Sequence, residues 1–185
     1  MKHHLMGDFM SEDKKERWLS YVSISTILFA VCATLSTFKG GQYSTKTVLN
    51  QLNVANSWAY YQSKDLKSYL HEIQKDQLEL AIKHSPLPRE AAEEYKRKIA
   101  AYDEKITKYD VQKKDIEHDA KAYEQDIKLT QAHSQDFGMA VIFLQIAILL
   151  ASISALMKKI SLWYGSLSVG SIGIVYFCNG FFSYF

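Results

Sequence analysis

The residues of this chain that could do chemistry are few, and their spacing argues against most of it. His71 and Glu72 begin in the order used by a zinc-protease helix, a ligand followed by a general base. That arrangement needs a second histidine four residues after the first. Lys75 stands there, and an ammonium cannot complete the ligand set. His3, His4, His84, His118 and His133 are scattered. His118-Asp119 and His133 with Asp136 could bind a metal weakly if helices converged, but they read better as surface histidines. There is no glycine-rich phosphate loop, nucleophile elbow or paired-carboxylate pattern. The chain is therefore expected to be non-enzymatic, with no cofactor and no bound metal.

Two groups of polar residues remain. Between Asn53 and Lys67, the residues Asn56, Trp58, Tyr61, Gln62 and Lys64 put more polar and aromatic groups together than a simple helical pair needs. Trp58 and Tyr61, three residues apart, either fill a helical core or form a recognition and assembly site with their neighbours. The second group is Thr34, Gln145 and Asn179, each inside an otherwise apolar run. A layer of hydrogen bonds among them would spare them exposure to lipid, as packing between helices or as a narrow polar pathway. Packing is the preferred reading, because no charged residue lies within those runs.

These residues must be positioned by long helices. The overall composition, 48% hydrophobic with a net charge of +2, conceals a blocked distribution. Charge is confined mainly to Lys2–Arg17 and Lys39–Asp136, whereas Trp18–Phe38, Gly138–Met157 and Ile160–Phe185 are uncharged. Each uncharged run is long enough to cross about 30 Å of hydrocarbon. The first is too long for the usual apolar region of a cleaved signal peptide and reads as a retained span. Acids and bases alternate in the charged middle without a basic patch, which gives no case for nucleic acid. Cys32 and Cys178 both fall in apolar runs, so no disulfide framework is expected.

From Ala92 onward a heptad seam is plain. Ala92, Ile99, Ile106, Ala120 and Ile127 hold one core position; Tyr95, Tyr102, Tyr109, Ile116, Tyr123 and Thr130 hold the other, with Lys113 as the interruption. Such alternation of four- and three-residue steps over about five heptads predicts a coiled coil. A weaker heptad precedes it, with Leu52, Ala59, Leu66, Ile73 and Leu80 as core positions and Val48, Ala55, Gln62, Tyr69 and Asp76 as their partners. Ser85-Pro86-Leu87-Pro88 separates the two and predicts a turn, with Pro88 in the first turn of the returning helix. Acid-before-base pairs at four-residue spacing, such as Glu94–Lys98 and Glu117–Lys121, suit a solvated face. Ser11 is expected to cap the first helix, Lys39-Gly40-Gly41 to end it, and Tyr43-Ser44-Thr45 to cap the next.

The expected architecture is an all-α membrane protein with an antiparallel coiled-coil hairpin between spans one and two. It comprises a cytoplasmic segment 1–17, a span 18–38, an extracytoplasmic hairpin 39–137 turning near 85–88, a span 138–157, a cytoplasmic turn 158–160 and a span 161–183. Lys14, Lys15 and Arg17 before the first span and Lys158-Lys159 after the second set this orientation through the positive-inside rule. On the third span, Ser166, Gly170, Gly173 and Gly180 share a face that would allow close helix approach. A two-helix hairpin buries little core by itself, so a homo-oligomer in the bilayer is expected, with an unidentified envelope protein as a further partner. A small homo-oligomeric channel or transporter subunit is the alternative.

The stretches Leu35–Tyr43 (LSTFKGGQY) and Ser57–Lys64 (SWAYYQSK) resemble a bacterial membrane family, domain-of-unknown-function family four-three-three-seven. The last span, with Leu162-Trp163-Tyr164 and Cys178-Asn179-Gly180, is similar to that family's last span. The likeness covers most of the chain except the hairpin tip. Ser63 stands where the family usually has alanine before the lysine of the motif. The resemblance implies a small bacterial inner-membrane protein with three spans and says nothing of an activity.

Overall fold

The computed structural model describes residues 2–84 and 88–182, with side chains from Arg17 onward. Among the described residues all regular structure is helical: α1 (Lys2–His84), α2 (Arg89–Met157) and α3 (Ile160–Phe182). Each contains a stretch long and apolar enough to cross a membrane. The expected turn residues Ser85, Pro86 and Leu87 lie outside the described residues. Pro88 sits just before α2 rather than in its first turn, and its carbonyl accepts the first helical hydrogen bond, from Ala92 at 3.0 Å.

Two expectations about helix ends are corrected. α1 already includes Ser11, so that residue does not cap it, and α1 does not stop at Gly40-Gly41. The reason is the use made of Gly40. A Cβ there would lie 3.0 Å from the Cβ of Phe137 in α2, so the missing side chain is spent on close helix approach. Thr45 does not cap a new helix either; its hydroxyl donates one turn back to the Gly41 carbonyl at 2.9 Å. The same back-bonding serves Thr26, Thr34, Ser36 and Thr37, which satisfies hydroxyls in an apolar stretch without any outside partner.

The chain divides into two compact units. One joins the residues up to Thr47 with those from Lys128 onward; the other is Val48–Ile127. In the first, the core is Phe29, Ala33, Ala140, Leu144 and Ala147. Large apolar side chains such as Ile27, Val31, Ile142, Leu149, Ile172 and Val175 point outward from it. Small residues make the close contacts. A Cβ on Gly170 would enter the Phe29 ring, and one on Gly173 would lie 2.8 Å from Leu144 Cγ. Gly170, Gly173, Gly180 and Ser166 are all buried, as their shared face suggested, and Ser166 Oγ donates to the Ala147 carbonyl at 2.7 Å. α2 ends at Met157 because Lys158 turns left-handed, with φ 54°. Lys158 N–H then bonds to Ala155 O and Lys159 N–H to Ser154 O, the paired bonds of a Schellman end.

In the second unit, contacts fall along α2 as they rise along α1. Asn50 meets Asp126, Trp58 meets Glu124, Asp65 meets Lys113 and Lys75 meets Asp103. On α2 the inward face is the heptad read from the sequence; Tyr123 alone is exposed, at 37%. On α1 it is not. Leu52, Ala59, Leu66, Ile73 and Leu80 are all exposed, and so are Val48, Ala55, Gln62, Tyr69 and Asp76. The inward positions are Val54, Tyr61, Ser68, Lys75 and Ile82, alternating with Asn50, Ser57, Lys64, His71 and Leu78. The tyrosines of α2 account for the choice: their ring faces take flat or cationic partners that leucine cannot supply. His71 stacks on Tyr109 at 6.0 Å and 4° and on Tyr102 at 5.3 Å and 23°. Lys64 Nζ lies 5.5 Å from the Tyr109 ring centre.

Candidate functional site

The Asn56–Lys64 group is divided by the helix that carries it. Trp58, Tyr61 and Lys64 are half-buried on the α2 side, whereas Asn56 and Gln62 are exposed. Trp58 Nε1 donates to Glu124 Oε1 at 3.2 Å, and its indole meets Tyr61 edge-on with centroids 5.5 Å apart. Lys64 sits between two phenol rings, 4.8 Å from Tyr60 and 5.5 Å from Tyr109. Two of these contacts, Trp58 with Glu124 and Lys64 with Tyr109, cross to α2; the other two lie within α1. Lys113, the interruption of the apolar seam, also bonds across to α1. Its side chain is 16% exposed and its ammonium donates to Asp65 Oδ1 at 2.9 Å, with Asp110 Oδ1 also at 2.9 Å. The hydrogen bond to Asp65, then that to Asp110, holds the Lys113 pKa well above the usual lysine range. Lys75 is raised too, chiefly by its hydrogen bond to Asp103.

Thr34, Gln145 and Asn179 do not share one environment. Thr34 and Gln145 are exposed on the apolar stretches, and Thr34 bonds to its own helix. Asn179 is 1% exposed, and its Nδ2 donates to Asp136 Oδ2 at 2.8 Å. Around that pair lies a network that sequence reasoning did not assemble. His133 Nδ1 donates to the Gly180 carbonyl at 2.9 Å while its ring stacks on Tyr43 at 4.7 Å. Ser134 Oγ donates to the Gly40 carbonyl at 3.3 Å, and Thr47 Oγ1 to Thr130 Oγ1 at 2.8 Å. Phe137 is fully buried in the middle, set between Gly40 and Gly180 and flanked by Phe177 and Phe181 edge-on. His133 and Asp136 are thus engaged by different groups of α3. Among the described residues no cluster of three or more His, Cys, Asp or Glu is placed to hold a metal ion.

Beside the network is an open notch of about 300 Å³ lined by Ser36, Thr37, Gly40, Gly41, Ser44, Ser134, Phe137, Gly138 and Val141. Its lining is small and uncharged, and gives no acid, base or nucleophile pair to work on a substrate.

The described residues form an all-helical protein with three helices long and apolar enough to cross a membrane, and several polar side chains bond from one helix to another. The chain belongs to the family described as Domain of unknown function (DUF4337), whose sequence pattern matches residues 18–183. No curated protein and no solved structure matches it.

Proposed function

We propose that this protein is a membrane-anchored coiled-coil protein, non-enzymatic, acting in self-assembly or as an interaction scaffold in the bacterial envelope. The apolar stretches of α1, α2 and α3 are its three spans in the inner membrane. Residues 39–137 are an antiparallel coiled-coil hairpin on the extracytoplasmic side. The N-terminus and the Lys158–Lys159 turn are cytoplasmic, following the basic residues that flank the spans. Outward Ile, Leu and Val side chains on the apolar stretches support the lipid-facing reading, since these side chains would otherwise meet water.

One observation carries the scaffold reading. The face of α1 turned toward α2 is largely polar and held by specific hydrogen bonds and ion pairs, while its more apolar heptad is left outside. A chain that only needed a stable pair would bury the leucines. A channel subunit draws less support, because the buried Asn179 is already engaged by Asp136. The mass of the intact detergent-solubilised complex tests the proposal. A defined homo-oligomer, or this chain with a stoichiometric partner, is the expected result; a strict monomer with nothing bound overturns it.

A further inference from the structure

We infer that the outward heptad of α1 is a seam for a second copy of this chain, paired in parallel and in register, helix α1 against helix α1. The inference rests on the scaffold reading and specifies how that assembly is made. Leu52, Leu66, Ile73 and Leu80 recur at multiples of seven residues and are 56%, 59%, 37% and 55% exposed, with Ala59 completing the series. The intervening position is held by Val48, Ala55, Gln62, Tyr69 and Asp76, all exposed as well. From Val48 to Leu80 the stripe runs about 48 Å along the helix at 1.5 Å per residue. A strict seven-residue repeat follows a supercoiling helical partner; a straight helix lying on a flat surface would drift away from it by about 20° per heptad. Lipid is a poor occupant, because Asp65, Lys67 and Glu72 stand among these residues.

Charge selects the partner's identity and direction. On one flank of the seam are Leu49, Asn56, Ser63, Leu70 and Gln77, with no charge among them. The other flank carries Gln51, Trp58, Asp65, Glu72 and Glu79. In a parallel pair each flank meets the opposite flank of the partner, five residues on, so Asp65 meets Leu70 and Glu72 meets Gln77 of the other copy. In an antiparallel pair the acidic flank would meet itself, a repulsion that falls mainly on Glu72, since Asp65 bonds Lys113 and Glu79 lies 3.8 Å from Lys75 within the chain. Two copies inserted in one membrane with the same orientation also carry α1 in the same direction, so each residue of the seam meets its own equivalent. That pairing is self-complementary: leucine on leucine, isoleucine on isoleucine, and Gln62 on Gln62, where each amide can both donate and accept. Asp76 is the one charge that would meet its like.

The seam is exposed in the single chain, so substituting it leaves the pairing with α2 intact. The full-length chain carrying Cys32→Ala and Cys178→Ala, in its native membrane, is oxidised with copper phenanthroline after adding Leu66→Cys or, on the outer face of α2, Lys108→Cys. Leu66→Cys is expected to move most of the protein to twice the monomer mass, and Lys108→Cys to leave it monomeric. Adding Asp76→Leu to Leu66→Cys should raise the cross-linked fraction at low expression. No cross-link from Leu66→Cys overturns the seam even where the intact complex is oligomeric, in which case assembly proceeds through another face. A cross-link to a different protein overturns the second copy as occupant and leaves the scaffold reading standing.

Discussion

Buried polar residues decide which substitutions this chain tolerates. Asn179 is buried and donates to Asp136 Oδ2, and removing the amide takes that hydrogen bond from a half-buried pair. Asn179→Leu is therefore expected to lower stability by about 1–3 kcal/mol, read as a loss in thermal midpoint in detergent. Gln145→Leu and Thr34→Leu, at exposed positions, should change it by less than about 0.5 kcal/mol. Equal losses at all three would mean that these residues do meet. Lys113 provides a test with pH. Its folded pKa is raised above the unfolded value of about 10.4, so its contribution is fully present below that value and is lost as pH rises through the folded one. Asp65 and Asp110 are half-exposed, so solvent screens the pair and a Lys113–Asp65 double-mutant cycle should give at most about 1 kcal/mol. That coupling should be the same at pH 7 and pH 9 and disappear only in strongly alkaline solution. Asn179 was legible as an unusual residue in an apolar run. Its partner was not: the short turn at 158–160 returns the end of the third span to the start of the second, but spacing alone does not tell which side chain there, Asp136, His133 or Ser134, meets Asn179.

At the level of the helix, the two seams show what a pattern can and cannot reveal. The Tyr/Ile heptad of α2 is where the sequence put it, because only one stripe of that helix is apolar and periodic. α1 carries two stripes half a turn apart. Ranking them by apolarity selects Leu52, Leu66 and Leu80, while α2 takes Asn50, Lys64 and His71, whose side chains suit tyrosine rings and acids. The glycines were ambiguous in a similar way. Gly40 looks like a helix breaker and serves as a packing site, a difference that depends on Phe137 of another helix. Gly173→Ala should be costly, since the new methyl would meet both the side chain and the backbone of Leu144 within 3.1 Å. At Gly41 and Gly138 there is nothing within 4 Å, so alanine should be neutral or stabilise by up to about 1 kcal/mol through helix propensity. Thermal unfolding of the three variants separates the cases; a loss at Gly41 equal to that at Gly173 would show that the open side is occupied in the assembled protein.

For the whole molecule, the composition alone would suggest a soluble protein, and only the blocked distribution of charge reveals three helices fit to cross a bilayer. Family membership over residues 18–183 agrees with the stretches that carry the resemblance, from the glycine pair to the last helix. In the proposed assembly the protein uses the more polar heptad of α1 within the chain and the more apolar one between copies. The most direct test is the intact mass of the detergent-solubilised protein, measured for the wild type beside Leu66→Asp/Ile73→Asp. A defined oligomer is expected for the wild type and its dissociation in the variant, with helical content unchanged because both positions are exposed in the single chain. A wild-type monomer, or a variant whose oligomer is unaltered, would contradict it.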